Sequence, residues 1–133
     1  MTDSPPLQFR AGQRWCYHAP PGHEHSRILI GAVVSFADRE PIVCCAVLDA
    51  QRLLPSGETD AVLIPFLPMS AGALAASVAA PDGDAALPAE FGEAFTDWHD
   101  DARGLVAFTV AFAGRLDLMI ARQMAEIVGQ PMD

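Results

Sequence analysis

Three β-prone runs joined by turn chemistry occupy Phe9 to Leu48, and they constrain the fold more than any other stretch. The first runs from Phe9 through Gly12 and Trp15 to His18, and Pro20, Pro21 and Gly22 end it. The second, about Ser26 to Phe36, carries Ile28, Ile30 and Val33 and turns at Ala37 to Pro41. The third, Ile42 to Leu48, is apolar throughout. Such spacing predicts an antiparallel meander, the natural opening of a strongly curved sheet or small barrel. Side chains alternate along a strand, so Trp15 and Tyr17 share a face, and burial of their rings places that face in the core. Gly12 suits a bend that needs a positive φ angle, and Gly31 marks a bulge. The third run is apolar on both faces, as a central strand is.

Beyond the meander, Pro55, Ser56 and Gly57 signal a loop, and Ala61 to Ile64 reads as a fourth strand stopped by Pro65 and Pro68. Ser70 can cap a short helix, Ala71 to about Ala79, with Leu74 and Val78 inward and a loop at Pro81 to Asp84. Pro88 fits the first turn of a second helix reaching about Arg103, where Gly104 can end it. Its apolar stripe is Phe91, Phe95, Trp98 and Ala102. Leu105 to Thr109 reads as a fifth strand. A closing helix, about Ala111 to Val128, has Phe112, Leu116, Ile120, Met124 and Ile127 at helical spacing, with Gly129 and Pro131 as stops. The fold class is therefore α+β, an antiparallel sheet of about five strands with two to three helices packed on it, the last of them C-terminal. No internal repeat or linker divides the chain, so residues 1–8 form a flexible leader and 9–133 one domain.

The 133 residues suffice to bury a real core, and 51% hydrophobic against 19% charged residues is the balance of a folded globular chain. The net charge is −9, and all 8 basic residues are arginine, a composition that with its many alanines suits a GC-rich bacterial coding sequence. An acidic chain repels nucleic-acid phosphates and anionic membranes, and it attracts basic proteins. The start of the chain has neither a basic n-region nor an apolar core, so no secretory signal is expected. No apolar run approaches the length that spans a bilayer. With 3 cysteines, two of them the adjacent Cys44 and Cys45 on opposite strand faces, reduced thiols in a cytoplasmic protein are the simpler reading.

Certain motifs resemble those of a group of small bacterial proteins. Phe9, Gly12, Trp15 and Tyr17 match an F-x-x-G-x-x-W-x-Y start, and Gly22, Glu24, Ser26 and Ile30 match a following turn. Leu67, Pro68, Ser70, Ala73, Leu74, Ser77 and Val78 match an L-P-x-S-x-x-A-L-x-x-S-V segment. The group often carries His immediately before that Leu-Pro pair, where this chain has Phe66, so any role of that His is missing. The resemblance covers about half the chain and implies a shared fold without naming a substrate.

Four groups of residues bear on chemistry. His23 and His25, near His18 and Cys16, would share a face of an extended segment and are the candidate metal pair. Further ligands at a recognised spacing are missing, so a solvated loop is the expected reading and no metal or other cofactor is assigned. Cys44 and Cys45 lie within a valine, alanine and leucine run, which favours buried thiols over a nucleophile. Asp97, His99, Asp100 and Asp101 mix carboxylates with an imidazole, yet on a helix Asp97 and Asp101 turn away from Phe95 and Trp98. No phosphate-binding loop, dinucleotide fingerprint or nucleophile elbow occurs, and the absence of lysine removes Schiff-base chemistry. No catalytic residue is assigned.

Charge supplies the remaining hint. From Asp82 to Arg103 seven acids meet one arginine, a net of −6 within the total of −9. The expected function is accordingly a non-enzymatic protein-binding module that docks a partner, basic in character, through Glu90, Glu93, Asp97, Asp100 and Asp101. An immunity or inhibitor protein for a toxin has this size and charge. Two alternatives compete with it. One is a small-ligand or enzymatic barrel with a cavity between sheet and helices near Tyr17, His18 and His99. The other is a structural homo-oligomer paired through the apolar last helix.

Overall fold

The computed structural model describes residues 9–101 and 105–128, the side chains of 126–128 excepted. Several readings lie outside the described residues: the leader at 1–8, Ala102 and Gly104 at the end of the second helix, the Ile127 side chain, and the Gly129 and Pro131 stops. The expected meander forms as β1 (Gln13–Tyr17), β2 (Arg27–Val34) and β3 (Ile42–Leu53), each antiparallel to the next. Next come β4 (Thr59–Ser70), α1 (Ala71–Ser77), β5 (Val78–Asp84), α2 (Glu90–His99) and α3 (Leu116–Val128). One sheet holds all five strands in the order β4-β3-β2-β1-β5.

The α+β architecture is therefore as expected, but the sheet is open. Its edges, β4 and β5, do not pair, so the small-barrel form is not found. Curvature follows from the connection between those edges. In a flat sheet they would stand four strand spacings, about 19 Å, apart. The α1 helix that joins them has 7 residues and rises only about 10 Å. The sheet must curl toward the face that α1 covers.

Alternation then sorts the apolar residues into two layers. On the α1 face Trp15, Tyr17, Ile28, Ile30, Val43, Cys45 and Val47 pack with Leu67, Leu74, Phe112 and Met119. On the opposite face Leu29, Ile42, Cys44 and Ala46 pack with Phe91, and α2 adds Phe95 and Trp98. The adjacent cysteines thus enter different layers, both as free buried thiols. Burial on both faces fits β3 as an interior strand, but it stands next to the β4 edge, and the central strand is β2.

Irregularities fall where the sequence carries special residues. Gly12 has φ +94° and enters β1. Pairing of β2 with β3 slips between Ile30 and Ala32, which locates the expected bulge at Gly31. A second slip lies between Val47 and Ala50, where Asp49 has φ 55°.

Polar anchors tie the layers together. Buried Ser26 donates to the Leu48 carbonyl at 2.6 Å, so the Tyr17 hydroxyl, 2.7 Å away, donates to Ser26. Buried Ser77 donates to the Ala73 carbonyl and accepts the Phe112 N–H, both at 2.8 Å. The Ser77 carbonyl also accepts the His18 N–H. One serine therefore fixes α1, the end of β1 and the segment before α3.

Several boundaries correct the expectations. The second helix spans Glu90–His99 and does not reach Arg103, because Asp100 already leaves the helical path at φ −91° and ψ 3°. The fourth strand does not stop at Pro65 and Pro68 but runs through both to Ser70. Proline removes a ladder donor, which is tolerated at a bulge or on an edge. β4 is an edge, and its pairing slips between Cys45 and Val47, opposite Pro65. The short helix ends at Ser77 instead of Ala79, and the expected loop at Pro81 to Asp84 is the second half of β5. Leu105 to Thr109 is not a strand: only Phe108 pairs, by one bridge to Met69, with its N–H on the Pro68 carbonyl and its carbonyl on the Ser70 N–H. The last helix starts at Leu116 instead of Ala111, because Gly114 adopts φ +110° against Pro20 and breaks the helical path. Its inward residue is Met119, while Ile120 and Met124, expected inside, are exposed.

β5 is anchored by charge. Arg27 Nε lies 2.7 Å and Arg14 Nε 3.1 Å from Asp82 Oδ2, and Arg14 also donates to the Asp82 carbonyl. The Arg27 hydrogen bond, reinforced by Arg14, holds the Asp82 carboxyl below its ordinary range. A carboxyl depressed in the folded state stabilises at pH values above its unfolded pKa of about 3.9, and this stabilisation is lost as pH falls through the folded value. Asp82→Asn is therefore expected to lower the melting temperature by a constant amount above about pH 5, a deficit that closes below about pH 4. Thermal melts of both proteins across acid pH check this; a deficit independent of pH would refute it.

Candidate functional site

α2 seats on the sheet through aromatic contacts. Phe91 is buried, and its ring lies 5.6 Å from that of Phe66 on β4 and 6.1 Å from Phe95. Trp98 closes the cluster, 5.6 Å from Phe66 and 5.9 Å from Phe95. Phe91, Phe95 and Trp98 are the described part of the expected stripe, and Phe66 on β4 completes the cluster. Trp98 Nε1 donates to the Val106 carbonyl at 2.7 Å, which ties the segment after α2 back onto the helix. Gln123 Oε1 accepts from the Thr109 N–H and hydroxyl at 3.0 and 3.1 Å, which holds α3 beside that segment.

Between these tethers lies a groove of about 600 Å³, floored by Phe66, Pro68, Trp98, Phe108 and Met124 and edged by Asp97 and Asp101. A volume of that order accommodates a few side chains or a small molecule. Of the five carboxylates expected to bind a partner, the fold brings Asp97 and Asp101 to this groove and leaves Glu90, Glu93 and Asp100 off it. Glu90 and Glu93 occupy the first turn of α2, where negative charge favours the helix dipole. Asp100 caps the other end and lies 3.3 Å from His99 Nδ1. Asp82, part of the acidic count, serves Arg14 and Arg27 instead.

The other candidates disperse. Tyr17 belongs to the α1 layer, whereas His99 stands on α2 over the opposite layer, its ring 5.8 Å from Phe95. The imagined cavity near Tyr17, His18 and His99 is therefore not assembled. His23 and His25 have ring centroids 6.3 Å apart in a turn closed by the His23 N–H on Pro20 and the Ser26 N–H on His23. His25 lies 3.9 Å from Asp49, and among the described residues no three His, Cys, Asp or Glu side chains come together. Burial pushes the Cys44 thiol up to about 12 and that of Cys45 higher still, so neither offers a thiolate near neutral pH.

The groove residues Phe66, Val106, Phe108 and Gln123 were not legible as a site, since they come from three separate segments: β4, the stretch between α2 and α3, and α3. No helix of the described residues is long and apolar enough to cross a membrane. Fold and groove together define an α+β domain with an acid-edged apolar cleft. Comparison with protein-family models, curated proteins and solved structures finds no match.

Proposed function

We propose that this chain is a non-enzymatic protein-binding module whose docking site is the groove beside Trp98, and that it takes a basic amphipathic segment of a partner protein. The carrying observation is the adjacency of an aromatic floor and the Asp97 edge in a chain of net charge −9. Aromatic floors supply most of an interface's energy, and charges at the rim select the partner and speed its approach. An immunity or inhibitor protein that neutralises a basic toxin would work in this way. The thiols held protonated by burial and the dispersed imidazoles favour binding over catalysis.

Trp98 provides a direct readout. Titration with a synthetic helical peptide of alternating leucine and arginine faces should shift Trp98 emission saturably, and the shift should be absent in Trp98→Phe. Binding should weaken with salt and fall at least about tenfold in Asp97→Arg, the equivalent of about 1.4 kcal/mol. A glutamate counterpart of the peptide should not bind. Binding that ignores both salt and Asp97→Arg would refute the reading.

A further inference from the structure

A second groove, of about 570 Å³, runs between the outer part of β4 and the start of α3. Its walls include Leu53, Leu63, Phe66, Leu116 and Ile120. Leu53, Leu63 and Ile120 are 47%, 40% and 45% exposed. Exposed leucine and isoleucine side chains concentrated around one groove mark an interaction surface.

Charge distinguishes this face from the first. The ionisable side chains lining the groove are Arg52 and Asp117, and each is already paired within the chain. Arg52 makes a two-point contact with Asp60 at 3.0 and 2.6 Å, and Arg115 makes another with Asp117, Nε to Oδ1 at 3.1 Å. The groove is thus electrically balanced within a molecule of net charge −9. A basic partner gains nothing from such a face. Two copies of an acidic protein, by contrast, can approach only where charge is cancelled, because like charges in register oppose association.

Shape agrees with that choice. A two-fold interface must be complementary to itself, so ridge and groove must lie on the same patch. Here Ile120, on α3 and 45% exposed, forms the ridge, and Leu53 and Leu63 across the groove form its recess.

We infer that the groove between β4 and α3 receives α3 of a second copy of this chain, giving a two-fold homodimer. The two grooves share Phe66, but this inference turns on Ile120 and the docking reading on Asp97, so either can fail alone.

Light scattering coupled to size exclusion, over a wide concentration range, tests it. The unaltered chain should pass from monomer to twice the monomer mass as concentration rises. Ile120→Glu should weaken association at least about tenfold. Because Ile120 is exposed, this variant should keep the melting temperature of the unaltered chain measured at monomeric concentration. Asp97→Arg should leave the mass curve unchanged. A chain that stays monomeric at its solubility limit overturns the inference. So does an Ile120→Glu variant that dimerises as before, or an Asp97→Arg variant that no longer dimerises.

Discussion

Phe112→Ala is expected to destabilise the fold by about 3–5 kcal/mol, the range for removing a fully buried aromatic ring. Phe112 is 1% exposed and lies 5.3 Å from the Tyr17 ring, in the layer that also holds Leu74 and Met119. Its backbone N–H is fixed by Ser77, so the segment cannot readily slide to refill the space. The loss should also reach α3, whose inward contacts are Met119 and the partly buried Leu116. Urea unfolding should show a lower midpoint, and amide exchange should show the largest loss of protection in α3. A cost below about 1 kcal/mol would mean that the layer closes over the gap.

Gly31→Ala is expected to cost about 1–3 kcal/mol, although it adds a single methyl group. A Cβ at position 31 would lie 2.1 Å from the tip of the Phe91 ring and 2.5 and 2.6 Å from its flanking carbons. That ring cannot simply swing away, because Phe66 and Phe95 pack against it. The bulge in β2 and the seating of α2 are therefore one feature. Phe91→Leu removes the colliding ring tip, and in that background Gly31→Ala should cost clearly less. A double-mutant cycle by urea unfolding measures the coupling, and strict additivity would show that the contact with Phe91 is not the cause.

Some of this was legible in the residues alone. Period-two alternation in Trp15 to Tyr17 and Ile28 to Ile30, with turn residues between runs, yields the meander, and Ser70 caps its helix as expected. Phe91, Phe95 and Trp98 mark the buried side of α2 for the same reason, since helical spacing records which face is apolar. β5 was hidden because Val78 to Asp84 contains alanine, proline, aspartate and glycine, all poor strand formers. It is a strand because β1 offers an open edge and Arg14 and Arg27 hold Asp82. The last helix misled because Phe112 stands in helical register with Leu116 while Gly114 separates them. The candidate site was partly legible: Asp97 and Asp101 were marked by charge, but the groove they edge was not.

The sequence by itself determined the meander, the capped short helix, the aromatic side of α2 and the acidic excess, because each depends on residues close in the chain. Tertiary structure alone decided which strands form the edges, and so where Pro65, Pro68 and Pro81 are tolerated. It also decided which carboxylates meet an apolar floor and which face of α3 remains uncovered. Those outcomes depend on contacts between segments far apart in the chain. A seven-residue helix joins the two edges of a five-stranded sheet, and the curl this requires gathers Leu74, Phe112 and Met119 over one face, while α2 seats around Phe66 on the other.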